Sequence, residues 1–400
     1  MDELCEITSS KRIFAADYVA EGVPFYRGRE ITEKSRGNLD VSTELFITEE
    51  KFTEIERKFG APIPGDLLLT SVGTLGSVYV VKSGERFYFK DGNLTWFRHF
   101  NGLDSRFLSY WLIAPQGNAQ LQKCTIGVAQ PAFTIVHLKG MEIELPPLSV
   151  QRRIAGILSA YDQLIENSRR RIRILETMAR ALYSEWFVHF RFPGHENRPR
   201  IPSPLGEIPA GWEVRKLGEI AEDMRRNVPK GQLDQPHPYV GLEHIPRRSL
   251  ALDAWEMTTE LGSNKLEFKK GEVLFGKIRP HFHKVSVAPF DGVCSADTIV
   301  IRARRPVYYG VVVACVSSDQ FVAEASATAN GAKMPRANWD VLENYLVVVP
   351  DGRVAERFSA LMAKIIAQQQ AFVFQIQNLR RTRDLLLPRL LSGQVNMEAA

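Results

Sequence analysis

LSVQRRIAGILSAYDQLIENSRRRIRILETMARALYSEWFVHFRF, residues 148–192, is a proline-free stretch from which the organisation of this 400-residue chain can be worked out. Its apolar residues follow one another at alternating steps of four and three. This heptad spacing predicts one long helix over 149–192 with a continuous apolar seam, because a 3.5-residue repeat keeps one face turned towards one partner. The seam comprises Ile154, Leu158, Tyr161, Ile165, Ile172, Leu175, Leu182 and Trp186.

A second heptad stretch, residues 353–395, repeats this pattern 204 residues further along the chain. Its seam comprises Phe358, Met362, Ile365, Phe372, Ile376, Leu379, Leu386 and Leu390, with Gln369 and Arg383 as polar interruptions. Each seam spans about 37 residues of helix, and at ~1.5 Å per residue this stretch is ~55 Å long, which is longer than a domain of this size is wide. The two helices are therefore expected to pair with each other as an antiparallel coiled coil. In the alternative arrangement, each helix packs separately on its own domain.

The rest of the chain repeats as well. A spacing of 204 residues matches Gly127 to Gly331, and a spacing of 206 matches residues 65–66 to residues 271–272. Near the start of each half, a spacing of 213 matches Leu4, Glu6, Ile7 and Tyr26 to Leu217, Glu219, Ile220 and Tyr239. Because the matches keep their order along the chain, they indicate an internal duplication with pseudo-two-fold symmetry.

Each half is predicted to be a mixed α/β domain followed by its long helix, which places the chain in the α+β class. The first domain covers 1–148 and its helix 149–192. A linker and the second domain cover 193–352, the second helix covers 353–395, and a tail covers 396–400. The linker, residues 193–211, contains five prolines, which exclude a regular helix or a central strand.

The composition is that of a folded, water-soluble protein, with 44% hydrophobic and 24% charged residues. A net charge of +5 permits an anionic partner without requiring one. The longest apolar run, residues 307–316, is about half the ~20 residues that a membrane helix needs, so it is expected to be a buried core segment. Four scattered cysteines and the absence of a secretory signal favour a cytoplasmic location without disulfides.

Four phrases together resemble one family. They are LPPLSVQRRIAGIL at 145–158, GEIPAGWEVRKLGEI at 206–220, GEVLFGKIRPHFHKV at 271–285 and LLLPRLLSGQV at 385–395. With the duplicated layout, they are similar to the specificity subunit of Type I restriction-modification systems. The first half departs from that pattern, because it begins at MDELCEI and lacks a counterpart of the phrase around Trp212.

The resemblance implies two target recognition domains, each of which reads one half of a bipartite sequence in double-stranded DNA from the major groove. It implies that the helices dock two methyltransferase subunits, with restriction and translocase subunits joining afterwards. The chain itself is then expected to be non-catalytic and to bind no cofactor. S-adenosylmethionine, ATP and magnesium are expected in the partner subunits.

Candidate DNA-contacting side chains are Lys, Arg, His, Ser and Thr residues in loops, because such groups bind phosphates and base edges. The strongest segment is 276–284, with Lys277, Arg279, His281, His283 and Lys284 around a helix-breaking proline. Its counterpart from residue 70 onward offers Ser71 and Thr74. The other candidates are Lys11, Arg12, Arg27 and Arg29 in the first half and Arg225, Arg226, Lys230, Lys333 and Arg336 in the second.

Catalytic motifs are weak or absent. Residues 271–277 fit a GxxxxGK phosphate loop, but Ile278 stands where Ser or Thr must hold magnesium. There is no Asn-Pro-Pro-Tyr methyltransferase motif, and His281 with His283 lack a nearby third ligand, so no metal site is expected. Two alternatives to a DNA-reading subunit remain: a self-contained DNA modification enzyme and a purely structural coiled-coil scaffold.

Overall fold

The computed structural model describes residues 1–38, 41–331 and 333–395, so the predicted tail at 396–400 lies outside the described residues. The chain divides into two compact units. Unit 1 comprises Met1–Glu166 together with Leu379–Ala400, and unit 2 comprises Asn167–Asn378. Both divisions fall inside the long helices, so each unit contains a part of each helix.

Unit 1 combines short strands with mostly short helices. Its strands are β1 (Glu6–Thr8), β2 (Tyr18–Val19), β3 (Val23–Tyr26), β4 (Phe46–Ile47), β5 (Leu67–Thr70), β6 (Val78–Val80), β7 (Tyr88–Phe89), β8 (Leu94–Arg98), β9 (Thr125–Ile126) and β10 (Ala132–Phe133). Its helices are α1 (Gly28–Ser35), α2 (Glu49–Phe59), α3 (Ser105–Ile113), α4 (Pro115–Lys123), α5 (Ile135–Lys139) and the first part of α6 (Leu148–Tyr183). A 3-10 turn covers Ala15–Asp17.

Unit 1 has two four-stranded sheets, one in the order β1-β8-β5-β6 and one in the order β2-β4-β3-β7. The first sheet is antiparallel, whereas β3 and β7 in the second run parallel. Strand β5 has the sequence LLLT and is buried along its whole length, as expected for a central strand covered on both faces. Asp104 begins α3 by accepting hydrogen bonds from the backbone N–H groups of Arg106 and Phe107.

Unit 2 repeats this plan with longer strands. Its strands are β11 (Arg200–Ser203), β12 (Gly206–Pro209), β13 (Glu213–Lys216), β14 (Ala221–Asp223), β15 (Asn227–Val228), β16 (Gly231–Val240), β17 (Glu256–Leu261), β18 (Lys265–Phe268), β19 (Val273–Gly276), β20 (Val285–Val287), β21 (Gly292–Ser295), β22 (Thr298–Ala303) and β23 (Leu346–Val349). Its helices are α7 (Leu217–Ile220), α8 (Tyr309–Val316), α9 (Asp319–Ala327), α10 (Trp339–Leu342) and most of α11 (Gly352–Leu391). The proline-rich stretch forms the hairpin β11-β12.

The first sheet of unit 2 has the order β14-β22-β19-β20, which corresponds strand for strand to β1-β8-β5-β6. Leu67 faces Phe97 in unit 1, and Val273 faces Ile301 in unit 2, at spacings of 206 and 204 residues. The second sheet, β15-β18-β21-β16-β17, also contains one parallel pair, β16 with β21. The first sheet therefore has the same strand order and register in both units.

The strand register corrects one predicted match at the start of the repeat. Glu6 faces Arg98 in unit 1, and Glu222 faces Arg302 in unit 2. In both units these side chains form an ion pair, at 2.7 Å and 2.8 Å. The counterpart of Glu6 is therefore Glu222 and not Glu219. The predicted match was wrong because the connection from this strand to the matching tyrosine is three residues longer in unit 1.

The described residues include no helix long and apolar enough to cross a membrane. The apolar run at 307–316 instead contains all of α8, whose residues Val311, Val313 and Val316 are fully buried. This confirms the prediction of a core segment. The four cysteines are free and buried.

In each unit, the start of one long helix packs near the end of the other. In unit 1, Ile154 and Leu158 near the start of α6 share one hydrophobic core with Leu390 near the end of α11. In unit 2, Phe358 near the start of α11 packs against Trp186 and its neighbour in the π-helical turn Ser184–Val188, which follows α6. All predicted seam residues of both helices are buried or half-buried.

At two places on α11, the residue after the predicted seam position is more buried than the seam residue itself. Ile366 and Val373 are buried, whereas Ile365 and Phe372, at the predicted positions, are only half-buried. The reason is a second packing partner in unit 2. Ser359 accepts a hydrogen bond from the backbone of Gly310 in α8 at 2.9 Å, and a Cβ on that glycine would lie 2.7 Å from the Cα of Ser359. Periodicity shows only that a face is apolar, not how many neighbours cover it.

Glu176 is a buried carboxylate on α6, with 5% of the residue exposed. Its Oε1 accepts hydrogen bonds from the Ser249 hydroxyl and from the Leu250 backbone, the latter at 3.0 Å. Burial raises the pKa of Glu176, which means that the folded state binds a proton more tightly than the unfolded state. The contribution of this group to stability is therefore present at low pH and is lost as the pH rises through the raised pKa.

We expect the Glu176→Gln variant to gain stability relative to the wild type as the pH rises from about 4, near the unfolded pKa of a glutamate, to about 7. Urea unfolding of both proteins at the two pH values measures this difference. Glu207→Gln, at an exposed position, is the matched control and should show no such trend. A constant difference between Glu176→Gln and the wild type would contradict the prediction.

Candidate nucleic-acid interface

The loop between β19 and β20 in unit 2, residues 277–284, has an unusual backbone. It contains a 3-10 turn, Pro280–Phe282, flanked by Arg279 and His283 at φ values of +49° and +52°. Arg248 in the neighbouring segment has a φ of +56°. Left-handed backbone at non-glycine residues costs about 1–3 kcal/mol each and is concentrated at functional sites. The surrounding structure must therefore hold this loop in place.

Two other segments hold the loop. The backbone of Arg279 donates to the carbonyl of Pro335 at 2.8 Å, and Ala337 donates to the carbonyl of Lys277 at 2.9 Å. On the other side, Arg248 donates to the carbonyl of His283 at 2.8 Å. These bonds bring together a set of basic and polar side chains that we call the basic loop cluster: Arg247, Arg248, Lys277, Arg279, His281, Lys333 and Arg336.

The acidic partners of the cluster are few. Asp297 lies 3.9 Å from Lys277 and 3.5 Å from Arg336, and Asp319 pairs with Arg248 at 2.8 Å. Surface ion pairs of this kind contribute about 0–1 kcal/mol, so a phosphate can replace the carboxylate at little cost. The cluster thus offers a positive surface suited to a polyanion.

Two residues predicted to contact DNA do not present free polar groups. His283 is only 7% exposed, its Nε2 donates to the carbonyl of Ser317 at 2.9 Å, and burial lowers its pKa. Lys284 is half-buried and donates to the carbonyl of Leu242, and burial lowers the pKa of its ammonium group. The prediction that these two residues contact DNA is therefore corrected, because both side chains donate hydrogen bonds to backbone carbonyls that hold the loop in place.

The equivalent loop of unit 1 joins β5 to β6. It is attached in the same way: Phe133 donates to the carbonyl of Ser71 at 3.0 Å, and Val72 forms a bridge with Ala132, as Ile278 does with Arg336. Ser71 is only 2% exposed and its hydroxyl lies 2.6 Å from that of Thr95. The prediction for Ser71 is therefore wrong, since its hydroxyl is used inside the sheet.

Thr74, also predicted as a DNA-contacting residue, is exposed at the tip of this unit 1 loop. Gly73 and Gly76 surround it with φ values of +81° and +80°, a left-handed backbone that other residues rarely adopt. The loop carries no charged side chain, in contrast to its counterpart in unit 2.

Arg27 and Arg29 lie at the start of α1, near this loop, because a Cβ on Gly28 would be 3.9 Å from the side chain of Thr70. Both arginines pair with the buried Glu30, at 3.1 Å and 3.0 Å. Although burial acts to raise the pKa of Glu30, hydrogen bonds from Arg27 outweigh it and the pKa is lowered. The carboxylate is therefore charged and orients both guanidinium groups.

The remaining candidates have partners elsewhere in their units. In unit 1, Arg12 pairs with Asp91 at 2.8 Å, and Lys11 lies 4.9 Å from the centre of the Phe59 ring. In unit 2, the partners of Arg225 are Asp223 and Asp340, those of Arg226 are Glu267 and Glu272, and Lys230 is exposed at the entrance to β16. Within the described ranges, no hydrogen bond joins these five side chains to either loop.

The sequence interpretation missed Arg247, Arg248 and the role of Phe282. The guanidinium carbon of Arg247 lies 4.2 Å from the centre of the Phe282 ring. The arginine doublet directly after Pro246 was an available signal, since proline marks loops and arginine side chains are mostly exposed. Its position beside residue 282 was not available from the sequence.

The described residues contain no group of three or more His, Cys, Asp and Glu side chains that could hold a metal ion. His281 stands edge-on to the Phe282 ring, whereas His283 is bonded to the Ser317 carbonyl. The arrangement offers hydrogen-bond donors and positive charge, which are binding groups.

Comparison with known proteins agrees with the interpretation of these loops as a nucleic-acid interface. Residues 1–177 match a family model described as the Type I restriction modification DNA specificity domain. The Type I restriction enzyme MjaIX specificity subunit of Methanocaldococcus jannaschii is 26% identical over 353 residues, covering 84% of this chain and 78% of that protein. The Type I restriction enzyme EcoDI specificity subunit of Escherichia coli is 24% identical over 318 residues, covering 72% and 70%.

The fold is also that of a solved structure, the S subunit of a Type-I restriction-modification system from M. genitalium. It superimposes with a TM-score of 0.59 at 15% identity, covering 97% of this chain and 94% of that one. The family model over residues 1–177 and the curated relatives thus show that this chain is similar to the DNA specificity subunits of Type I restriction-modification systems.

Proposed function

We propose that this chain reads a bipartite DNA target, with one recognition domain for each half-site, and that its long helices dock the catalytic subunits. The observation that carries the proposal is the repeated loop. In both units, the loop after the central strand is attached by the same bridge and the same backbone hydrogen bond, 204 to 206 residues apart. An internal duplication explains this agreement, and two equivalent loops with different side chains suit two different half-sites.

The helices support the second part of the proposal. The start of α6 shares a core with the end of α11, and the start of α11 packs against the turn that follows α6, as expected for an antiparallel coiled coil. On α6, Ile174 and Met178 are 51% and 54% exposed and stand one helical turn apart. Exposed apolar side chains on a helix suit a protein partner. We propose that this partner is the methyltransferase subunits, and that restriction and translocase subunits join the complex afterwards.

In this proposal the chain is non-catalytic and works in the cytoplasm. Methyl transfer from S-adenosylmethionine, and ATP- and magnesium-dependent steps, belong to the partner subunits. Two alternatives give different results with the purified chain. A self-contained enzyme would transfer methyl groups to DNA alone, and a structural scaffold would not shift DNA in a gel even with a methyltransferase partner.

The direct test maps methylated sites in cells that carry this gene together with its methyltransferase gene, and in cells that lack only this gene. We expect a bipartite methylated motif in the first case and none in the second. Methylation that does not depend on the gene, or a motif without two parts, would refute the proposal.

Arg279→Ala is expected to weaken binding and to relax the preference at a position of one half-site. A good bidentate arginine–base contact discriminates by about 1–3 kcal/mol. Binding to the wild-type motif and to motifs with single base changes measures the effect. Unaltered affinity and preference would remove Arg279 from the interface.

A further inference from the structure

Two arginines of the basic loop cluster, Arg247 and Arg279, stack on the ring of Phe282. The guanidinium carbon of Arg247 lies 4.2 Å from the ring centre and that of Arg279 lies 6.0 Å from it. His281 stands edge-on to the same ring at 4.6 Å between centroids. An arginine stacked on an aromatic face keeps its planar fork in one orientation while its N–H groups remain available.

These two arginines differ from the other basic residues of the cluster in their charge partners. Neither Arg247 nor Arg279 forms an ion pair with any carboxylate in the described part of the chain, whereas Arg248, Lys277 and Arg336 each face an aspartate. Arg279 donates through one Nη to the Lys333 carbonyl at 3.5 Å. Both arginines are exposed. Two guanidinium forks are thus held in place without a carboxylate to satisfy them.

The backbone makes this arrangement rigid. Arg247 forms a bridge with Lys284, and Arg279 is held in the left-handed region by its bond to Pro335. A fork fixed before binding loses little entropy on contact, so it suits selective recognition more than general attraction.

We propose that Arg247 and Arg279, supported by Phe282, read guanine in the half-site of unit 2. The inference rests on the proposed function and names the base chemistry of that same site. Guanine presents O6 and N7 side by side in the major groove, which matches the fork of an arginine. The aspartate-paired Arg248, Lys277 and Arg336 then contact phosphates. The equivalent loop of unit 1 offers Thr74 and glycines, so it cannot read guanine in this way.

The test uses the complete methyltransferase complex with wild-type chain, Arg247→Ala or Arg247→Lys. The lysine variant keeps the charge but lacks the fork, and it separates a base contact from a phosphate contact. We expect both variants to accept any base pair at one G·C position of one half-site, with the other half-site unchanged. Replacing that guanine by 7-deazaguanine, which lacks N7, should weaken wild-type binding about 5- to 100-fold and leave Arg247→Ala unaffected.

The matched control is Arg305→Ala, because Arg305 also stacks on an aromatic ring, that of Tyr308 at 5.6 Å, and is exposed. It should leave the motif unchanged. The unchanged half-site in the Arg247 variants reports that the chain is folded. If Arg247→Lys keeps full preference, or the affected half-site has no G·C pair, the guanine assignment is overturned while the bipartite reading stands. If the wild-type complex methylates no specific motif, the proposed function itself fails.

Discussion

A chain with one additional heptad in each long helix is expected to methylate a motif whose two parts lie about 3 bp further apart. Seven helical residues add about 10.5 Å, and a base pair occupies about 3.4 Å along the duplex. Seven residues also return the seam to the same face, so the helix pairing is retained. The insertions are placed after Glu166 and after Asn378, where the two compact units divide.

Mapping of methylated sites in cells that carry the extended chain measures the spacing directly. The matched control has the insertion in α6 alone. If the helix pairing of unit 1 is kept, for example the ion pair of Asp162 with Arg383 at 2.5 Å, the α6 residues of unit 2 are out of step with α11, for example Trp186 with Phe358. We expect this control to lose methylation. A motif of unchanged spacing in the doubly extended chain would show that the helices do not set the distance between half-sites.

Phe358→Ala is expected to lower the free energy of unfolding by about 3–5 kcal/mol, the usual cost of removing a fully buried phenylalanine. Phe358 is 0% exposed in unit 2, with its ring centre 5.5 Å from that of Trp186 and 4.7 Å from that of Phe187. The truncation leaves a cavity where the start of α11 meets the turn after α6. Both a sheet domain and a helix contact depend on this position.

Urea unfolding followed by tryptophan fluorescence measures the loss, since Trp186 is in contact with the removed ring. Phe374→Ala is the matched control, because Phe374 belongs to the same helix but is 39% exposed. Its loss should be clearly smaller. Equal losses for the two variants would mean that the contact at Phe358 does not stabilise unit 2 beyond ordinary helix packing.

Most of the architecture followed from patterns that are local in the chain. The heptad spacing predicted both long helices, which the structure begins at Leu148 and at Gly352. The ends were less accurate: α6 passes into a π-helical turn at Ser184 instead of continuing to 192, and α11 ends at Leu391. Helix ends depend on a few capping and packing contacts, whereas helix interiors depend on many repeated side chains.

The amino-acid sequence by itself determined the two halves, their mixed α/β character, the long apolar helices and the loop at 277–284 as a basic segment. Only the tertiary structure decided which of its side chains are free. His283 and Ser71 are buried by residues far away in the chain, and Arg247 reaches the ring of Phe282 across an intervening stretch of three strands. Periodicity and charge act between near neighbours, but burial and stacking depend on which distant segments fold against each other.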